Sequence, residues 1–259
     1  MNIFTISLFD PTPLDEPIYP RFMGIAKAAL ETGNSVTHFT STFRHTKKQH
    51  RFNKDHVHEV NDNYEVFFTH SMGYKKNISA RRFWAHKDYA DKLVKALENY
   101  SNPDVIFISM PPLITISKVT KWAEKKGIPV VIDVIDPWPD SFIKDVPKSV
   151  KNIAKFAIYP YYRMLRKSFE KASAVTAISN DYLKWAAQFH SNRKNKKSFF
   201  LAVYFDPVNE YIIKVKILYI LNNPEKQKQM IEMGSKLFER INSPEERAEK
   251  FLDIAKNQI

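Results

Sequence analysis

The chain contains no cysteine. This excludes disulfides, thiolate zinc sites and cysteine nucleophiles, and it fits a reducing compartment. No apolar run approaches the roughly 20 residues needed to span a bilayer. The N-terminus lacks a basic n-region, so its first nine residues read as a strand rather than a signal peptide. GxSxG, P-loop and GxGxxG motifs are all missing, as are internal repeats and low-complexity segments. The eight histidines are scattered, His56-x-His58 alone is a weak ligand pair, and no metal site is expected.

The 259 residues suffice for one large domain or two small ones. At 44% hydrophobic and 14% aromatic, the chain can bury a substantial core. Net charge is +12, and nearly all of the excess lies in the first 209 residues. Two basic tracts stand out. Arg44–Lys54 holds five Lys/Arg and no acid, and Lys144–Lys171 holds eight against Asp145 and Glu170. The second is interleaved with Phe142, Phe156, Tyr159, Tyr161, Tyr162 and Phe169. Such surfaces attract anionic lipid, nucleic acid or phosphorylated substrates, or they are simply solvated faces.

Strand and helix signals alternate. Strands are predicted at Asn2–Phe9, Ser35–Thr40, Tyr64–His70, Asp104–Ser109, Pro129–Asp133, Ala174–Ile178 and Phe199–Tyr204. Helices are predicted at Phe22–Glu31, Ala80–Tyr100, Thr115–Lys126 and Asn180–Gln188, and over Ser149–Lys171 with a break near Pro160. For Ala80–Tyr100 the apolar face is read as Phe83, Ala90, Leu93, Val94 and Leu97. This order implies an α/β fold with a doubly wound, mostly parallel Rossmann-like sheet and right-handed crossovers. From Tyr211 helix signals dominate. Asn223-Pro-Glu and the capping box Ser243-Pro-Glu-Glu246 each start a helix. The expected division is a Rossmann-like domain over 1–207 and a helical tail over 208–259.

One stretch carries most of the functional signal: Ile128-Pro-Val-Val-Ile-Asp133-Val-Ile-Asp136-Pro-Trp138-Pro-Asp140-Ser141. A buried strand stops at carboxylates and then at two prolines, which cannot continue the ladder. The carboxyl end of a strand is where open α/β sheets place ligands. Asp133 and Asp136 are therefore the candidate catalytic pair, as general base and orienter or as acceptors from ligand hydroxyls. The alternative is that they cap the loop and the next helix. Trp138 either stacks on a ligand ring or anchors packing.

Taken together, five segments resemble the family 4 glycosyltransferases of capsular and O-antigen polysaccharide synthesis. They are Gly24–Thr37, Thr40–His45, Pro103–Pro112, Asp133–Asp140 and Ala174–Asn180. The resemblance implies two Rossmann-like domains facing a cleft, the first binding the acceptor and the second a nucleotide sugar. Leu218–Met230 and Glu232–Phe238 resemble the last helices of the second domain. The family's Arg/Lys pair for the diphosphate and its Glu-x7-Glu motif have no counterpart here. What the resemblance implies is transfer of a sugar from a nucleotide donor to a lipid-linked or glycan acceptor, with little or no transfer by this chain alone. It makes Gly24, Met110, Pro111, Asp136, Trp138 and Asp140 candidate acceptor-binding residues. Gly24 reads equally well as a close helix–sheet contact. Neither a metal nor a cofactor is implied.

Lipid-linked acceptors require a membrane position. Lys148, Lys151, Lys155, Arg163, Arg166 and Lys167 are the candidate membrane-facing cations, placing the protein peripherally at the inner face of an anionic bilayer. The alternative from another class is a non-catalytic module that binds acceptor, membrane or a partner, such as a second copy or a full-length transferase. Nucleic-acid binding has only basicity behind it and is not expected.

Overall fold

The computed structural model describes residues 1–15, 21–77, 79–144, 146–190 and 197–200. β1 (Asn2–Ile6) leads to α1 (Arg21–Glu31) and β2 (Ser35–Ser41). A short hairpin of β3 (Phe43–Arg44) and β4 (Gln49–His50) follows. β5 (His56–Asn61) turns into β6 (Tyr64–Thr69), and α2 (Ala80–Leu97) carries the chain to β7 (Val105–Met110). Next come α3 (Leu113–Lys126), β8 (Val130–Val134), α4 (Asp140–Lys144), a 3-10 turn at Lys148–Val150 and α5 (Lys151–Ala157). The rest is α6 (Tyr159–Lys171), β9 (Ala174–Ala177), α7 (Asn180–His190) and β10 (Lys197–Phe200).

The main sheet runs β10-β9-β8-β7-β1-β2-β6-β5. Seven strands are parallel, and β5 is an antiparallel edge. The chain begins at the centre, builds outward through β2 and β6, then returns over β1 to β7. The reversal between β1 and β7 opens a crevice at the carboxyl ends of the strands. This is the doubly wound, mostly parallel Rossmann-like architecture that the alternating signals predict.

Period-two alternation sorts the strand residues between two apolar layers. Phe4, Ile6, Ile106, Ile108, Val130 and Ile132 pack with Leu93 and Leu97 of α2, Ile116 of α3, Phe169 of α6 and Ala186 of α7. Ile3, Val36, Phe68, Phe107 and Val131 pack with Phe22, Ile25 and Ala29 of α1. Each fully buried Ile, Leu or Phe contributes about 1.5–3 kcal/mol of transfer free energy. Gly127 ends α3 in the left-handed region at φ 69°, its amide reaching Ala123 and Glu124 carbonyls. Pro160 sits in the first turn of α6, and the break from α5 falls at Ile158.

Several features differ from the sequence expectation, among them the short helix α4 where a loop is expected. The β3–β4 hairpin and β5 are additional strands. The buried face of α2 is Ala85, His86, Tyr89, Ala90, Leu93, Ala96 and Leu97, whereas Phe83 is 38% exposed. A histidine and a tyrosine thus occupy the inward stripe, and Phe83 packs on Tyr161 instead. The tail over 208–259 and its boundary lie outside the described residues.

Candidate functional site

A buried polar row crosses the carboxyl half of the sheet on the α1 side. Ser109, Asp133 and Thr176 are register partners, and Ser109 Oγ donates to Ser7 Oγ at 3.1 Å. Asp133 has no exposed surface. Thr176 Oγ1 donates to its Oδ1 at 2.6 Å and Arg21 Nη2 to the same oxygen at 2.8 Å. Arg21 Nε lies 2.6 Å from Oδ2. A second carboxylate, Asp10, caps the Phe22 amide at the start of α1. Its Oδ2 is shielded from solvent without a hydrogen-bond partner. Burial first, then the charge of Asp133, pushes the Asp10 carboxyl up to about 6, while Arg21 and the Phe22 amide pull it down. Gly24 lies half-buried one turn further along α1.

The loop after β8 is tied internally. Met110, fully buried at the end of β7, accepts from the Ile135 and Asp136 amides at 2.9 and 3.2 Å, and Pro111 is buried beside it. Asp136 accepts from Trp138 Nε1 at 2.8 Å and from Ser141 Oγ. Asp140 accepts from Tyr162 and Trp185, linking α4 to α6 and α7. Trp138 is 8% exposed and packs on Phe142 at 4.4 Å between ring centroids. The structure therefore brings Met110, Pro111, Asp136, Trp138 and Asp140 together. It separates Asp133 from Asp136, since Asp133 faces the α1 layer and Asp136 holds the loop.

Beside this loop lies a cleft over the ends of β1, β2 and β6. Phe9, Ser41, His45, Tyr74, His86 and Tyr89 are among the residues that line it. His45 Nδ1 lies 2.6 Å from the Tyr74 hydroxyl, and Lys48 Nζ is 3.2 Å from the same nitrogen. The Arg82 guanidinium stands 5.8, 5.7 and 5.3 Å from the ring centroids of Phe9, Tyr74 and Trp138. Burial, then Arg82 and His45, push His86 down to about 3. Burial, then Lys48 and Arg82, also lower His45. Both imidazoles are thus neutral hydrogen-bonding groups in a cationic setting. Sequence reasoning singled out Trp138 here and missed Arg82, His86, Tyr74 and His45. The detectable signal was the acid-free stretch 71–87.

Among the described residues, no group of three His, Asp or Glu side chains is placed to hold a metal, and no helix is long and apolar enough to cross a membrane.

No protein-family model matches this chain, and no curated protein matches it in sequence. Among solved structures, a sucrose-phosphate synthase from Thermosynechococcus elongatus is 13% identical with a TM-score of 0.50, covering 85% of this chain and 97% of that one. Arabidopsis thaliana UGT89C1 complexed with UDP is 10% identical with a TM-score of 0.47, covering 83% of this chain and 55% of that one. The same enzyme complexed with UDP-L-rhamnose is 12% identical with a TM-score of 0.44, covering 80% and 51%. This chain spans about half the length of the plant enzyme. The likeness is one of architecture, and the domain has a glycosyltransferase-like, Rossmann-like fold.

Proposed function

We propose that this chain is the acceptor side of a family 4-type glycosyltransferase of cell-surface polysaccharide synthesis. In this reading residues 1–207 hold a lipid-linked or glycan acceptor, and 208–259 form a helical tail related to the end of a donor domain. The reaction served is transfer of a sugar from a nucleotide sugar. The chain alone gives weak or no transfer, because donor-positioning groups are missing. The observation that carries the reading is the cleft on a glycosyltransferase-like fold. Phe9, Tyr74 and Trp138 rings surround Arg82 at the carboxyl edge of the sheet, a composition that suits a sugar face and its polar groups.

Calorimetric titration with glycan acceptors and with UDP- and GDP-sugars tests it. Acceptor binding that Trp138→Ala weakens is the expected result. Saturable donor binding in addition would make the chain an enzyme in its own right; acceptor binding alone would favour a non-catalytic module. Absence of both overturns the reading.

Membrane attachment is the second part of the proposal. Ile153, Phe156 and Tyr159 are 71%, 84% and 59% exposed. Lys155, Arg163, Arg166 and Lys167 are exposed in the same segment. Lys148 and Lys151 belong to it in sequence, with side chains outside the description. Apolar residues among cations suit the interface of an anionic bilayer, each cation adding about 1 kcal/mol near the surface. Co-sedimentation with phosphatidylglycerol vesicles is expected, and Ile153→Ser with Phe156→Ser should weaken it at least tenfold. Equal binding to neutral vesicles would refute the charge component.

A further inference from the structure

Residues 43–54 and 71–87 contain ten Lys/Arg and no Asp/Glu. At this chain's acid content, 28 in 259, stretches of that combined length would hold about three. Though separate in sequence, the two stretches meet in the fold. The first forms the β3–β4 hairpin, the second the entry into α2, and both line the cleft. Three of the ten are paired with a carboxylate, Arg44 and Arg51 with Asp15 and Lys87 with Asp91, which leaves the cleft side of both stretches strongly cationic. Lys48 and Arg82 have no carboxylate partner among the described residues.

Their placement is specific. Lys48 Nζ donates to Asn77 Oδ1 at 2.5 Å, and Arg82 Nη1 donates to the Asn77 carbonyl at 2.9 Å. Two like charges are thus gathered on one residue, and the Lys48 ammonium is lowered by burial and by Arg82. Lys48 also adopts φ 54°, a left-handed conformation that a lysine holds at a cost glycine would not bear. Deeper in, His86 and Tyr89 are 5% and 1% exposed, and His86 Nε2 and the Tyr89 hydroxyl have no hydrogen-bond partner. Arg82 Nε is shielded without an acceptor as well. These buried polar atoms without partners, beneath two cations without a carboxylate partner, would be satisfied by a ligand that supplies both charge and acceptors.

We propose that this cleft binds a phosphate-bearing sugar. Arg82 and Lys48 take the phosphate, and His86 Nε2 and the Tyr89 hydroxyl meet its inner oxygens or a sugar hydroxyl. Phosphate matches better than carboxylate, because two cations neutralise a near-dianion whereas a carboxylate balances one. That this ligand is the acceptor rests on the glycosyltransferase reading; the anion site itself does not.

The test is titration of the full chain with inorganic phosphate, glucose 6-phosphate and glucose, at low and high salt. Saturable binding of the two phosphates, weakened by salt, is expected, with glucose far weaker. Arg82→Gln should lower phosphate affinity about tenfold to a hundredfold. Lys48→Gly should lower it about tenfold while the thermal unfolding midpoint holds or rises, since glycine relieves the backbone. No phosphate binding by the wild type, or undiminished binding by both folded variants, overturns the site. Competition with glucose 6-phosphate by phosphatidylcholine vesicles carrying polyprenyl phosphate assigns a lipid-borne phosphate; binding without such competition assigns a soluble sugar phosphate. A glycan that binds the cleft when phosphate does not would sink this inference and spare the acceptor reading. Phosphate binding with no contribution to sugar transfer would do the reverse.

Discussion

Replacing Asp10 with Asn should stabilise the protein at neutral pH. The Asp10 carboxyl is pushed from the ordinary 3.8 to about 6, with burial the largest cause and the nearby Asp133 charge the next. A shift of about two units corresponds to about 3 kcal/mol at 1.36 kcal/mol per unit. The sign follows from proton linkage. The folded state holds this proton more tightly than the unfolded chain, so the contribution is fully present below about pH 4 and is lost as pH rises to about 6. Asparagine removes the ionisation and keeps an oxygen for the Phe22 amide. His38 and His86 act in the opposite direction, because burial lowers them from 6.5 to about 4 and about 3. They destabilise the fold as pH falls below 6.5, equally in wild type and variant. The informative quantity is therefore the difference between the two proteins, measured by urea unfolding at several pH values from about 4 to about 7.5. That difference should grow by about 2–3 kcal/mol in favour of Asp10→Asn across the range. A difference that stays constant within about 0.5 kcal/mol would refute the idea that an ionised Asp10 strains the α1 terminus.

Asp133→Asn deprives Arg21 of a buried ion-pair partner and should cost about 3–5 kcal/mol in urea unfolding. It should also lower the Asp10 pKa, readable by carboxyl NMR titration. Asp140→Ala removes the acceptor for Tyr162 and Trp185 and should cost about 2–3 kcal/mol; unchanged stability with lost acceptor binding would instead place Asp140 in the site. A Cβ at Gly73 would meet the Phe43 ring at 2.9 Å and His50 Nε2 at 3.0 Å. Gly73→Ala should therefore displace the β3–β4 hairpin, lower stability by about 1–3 kcal/mol and weaken ligand binding in the neighbouring cleft.

The inner strands were legible because burial on both faces forces β-branched and aromatic residues into continuous runs, as in Val105–Met110, where every residue is buried. β5 was not. It is an edge whose His56-Val-His-Glu-Val-Asn61 carries Val57 and Val60 at 41% and 38% exposure. The β3–β4 hairpin pairs only two residues per strand, too few for a periodic pattern. Asp133 and Asp136 look alike in sequence. They part because Asp133 lies within β8, on the face toward α1, while Asp136 lies beyond its end. The cleft was least legible. His45 comes from one stretch and Tyr74 and His86 from another, and each is an ordinary residue in its own neighbourhood. Only the shared lack of acids marks the two stretches, and the fold is what brings them together.

The β5 edge has a consequence for self-association. Its pairing with β6 shifts register between Glu59 and Asn61, and its residues include His56, His58 and Glu59 beside the exposed Val57 and Val60. A bulged rim that carries a charge offers a poor template for another strand. Neighbouring copies cannot readily extend the sheet there into a longer ladder, so any assembly reached from this side must be built through side chains.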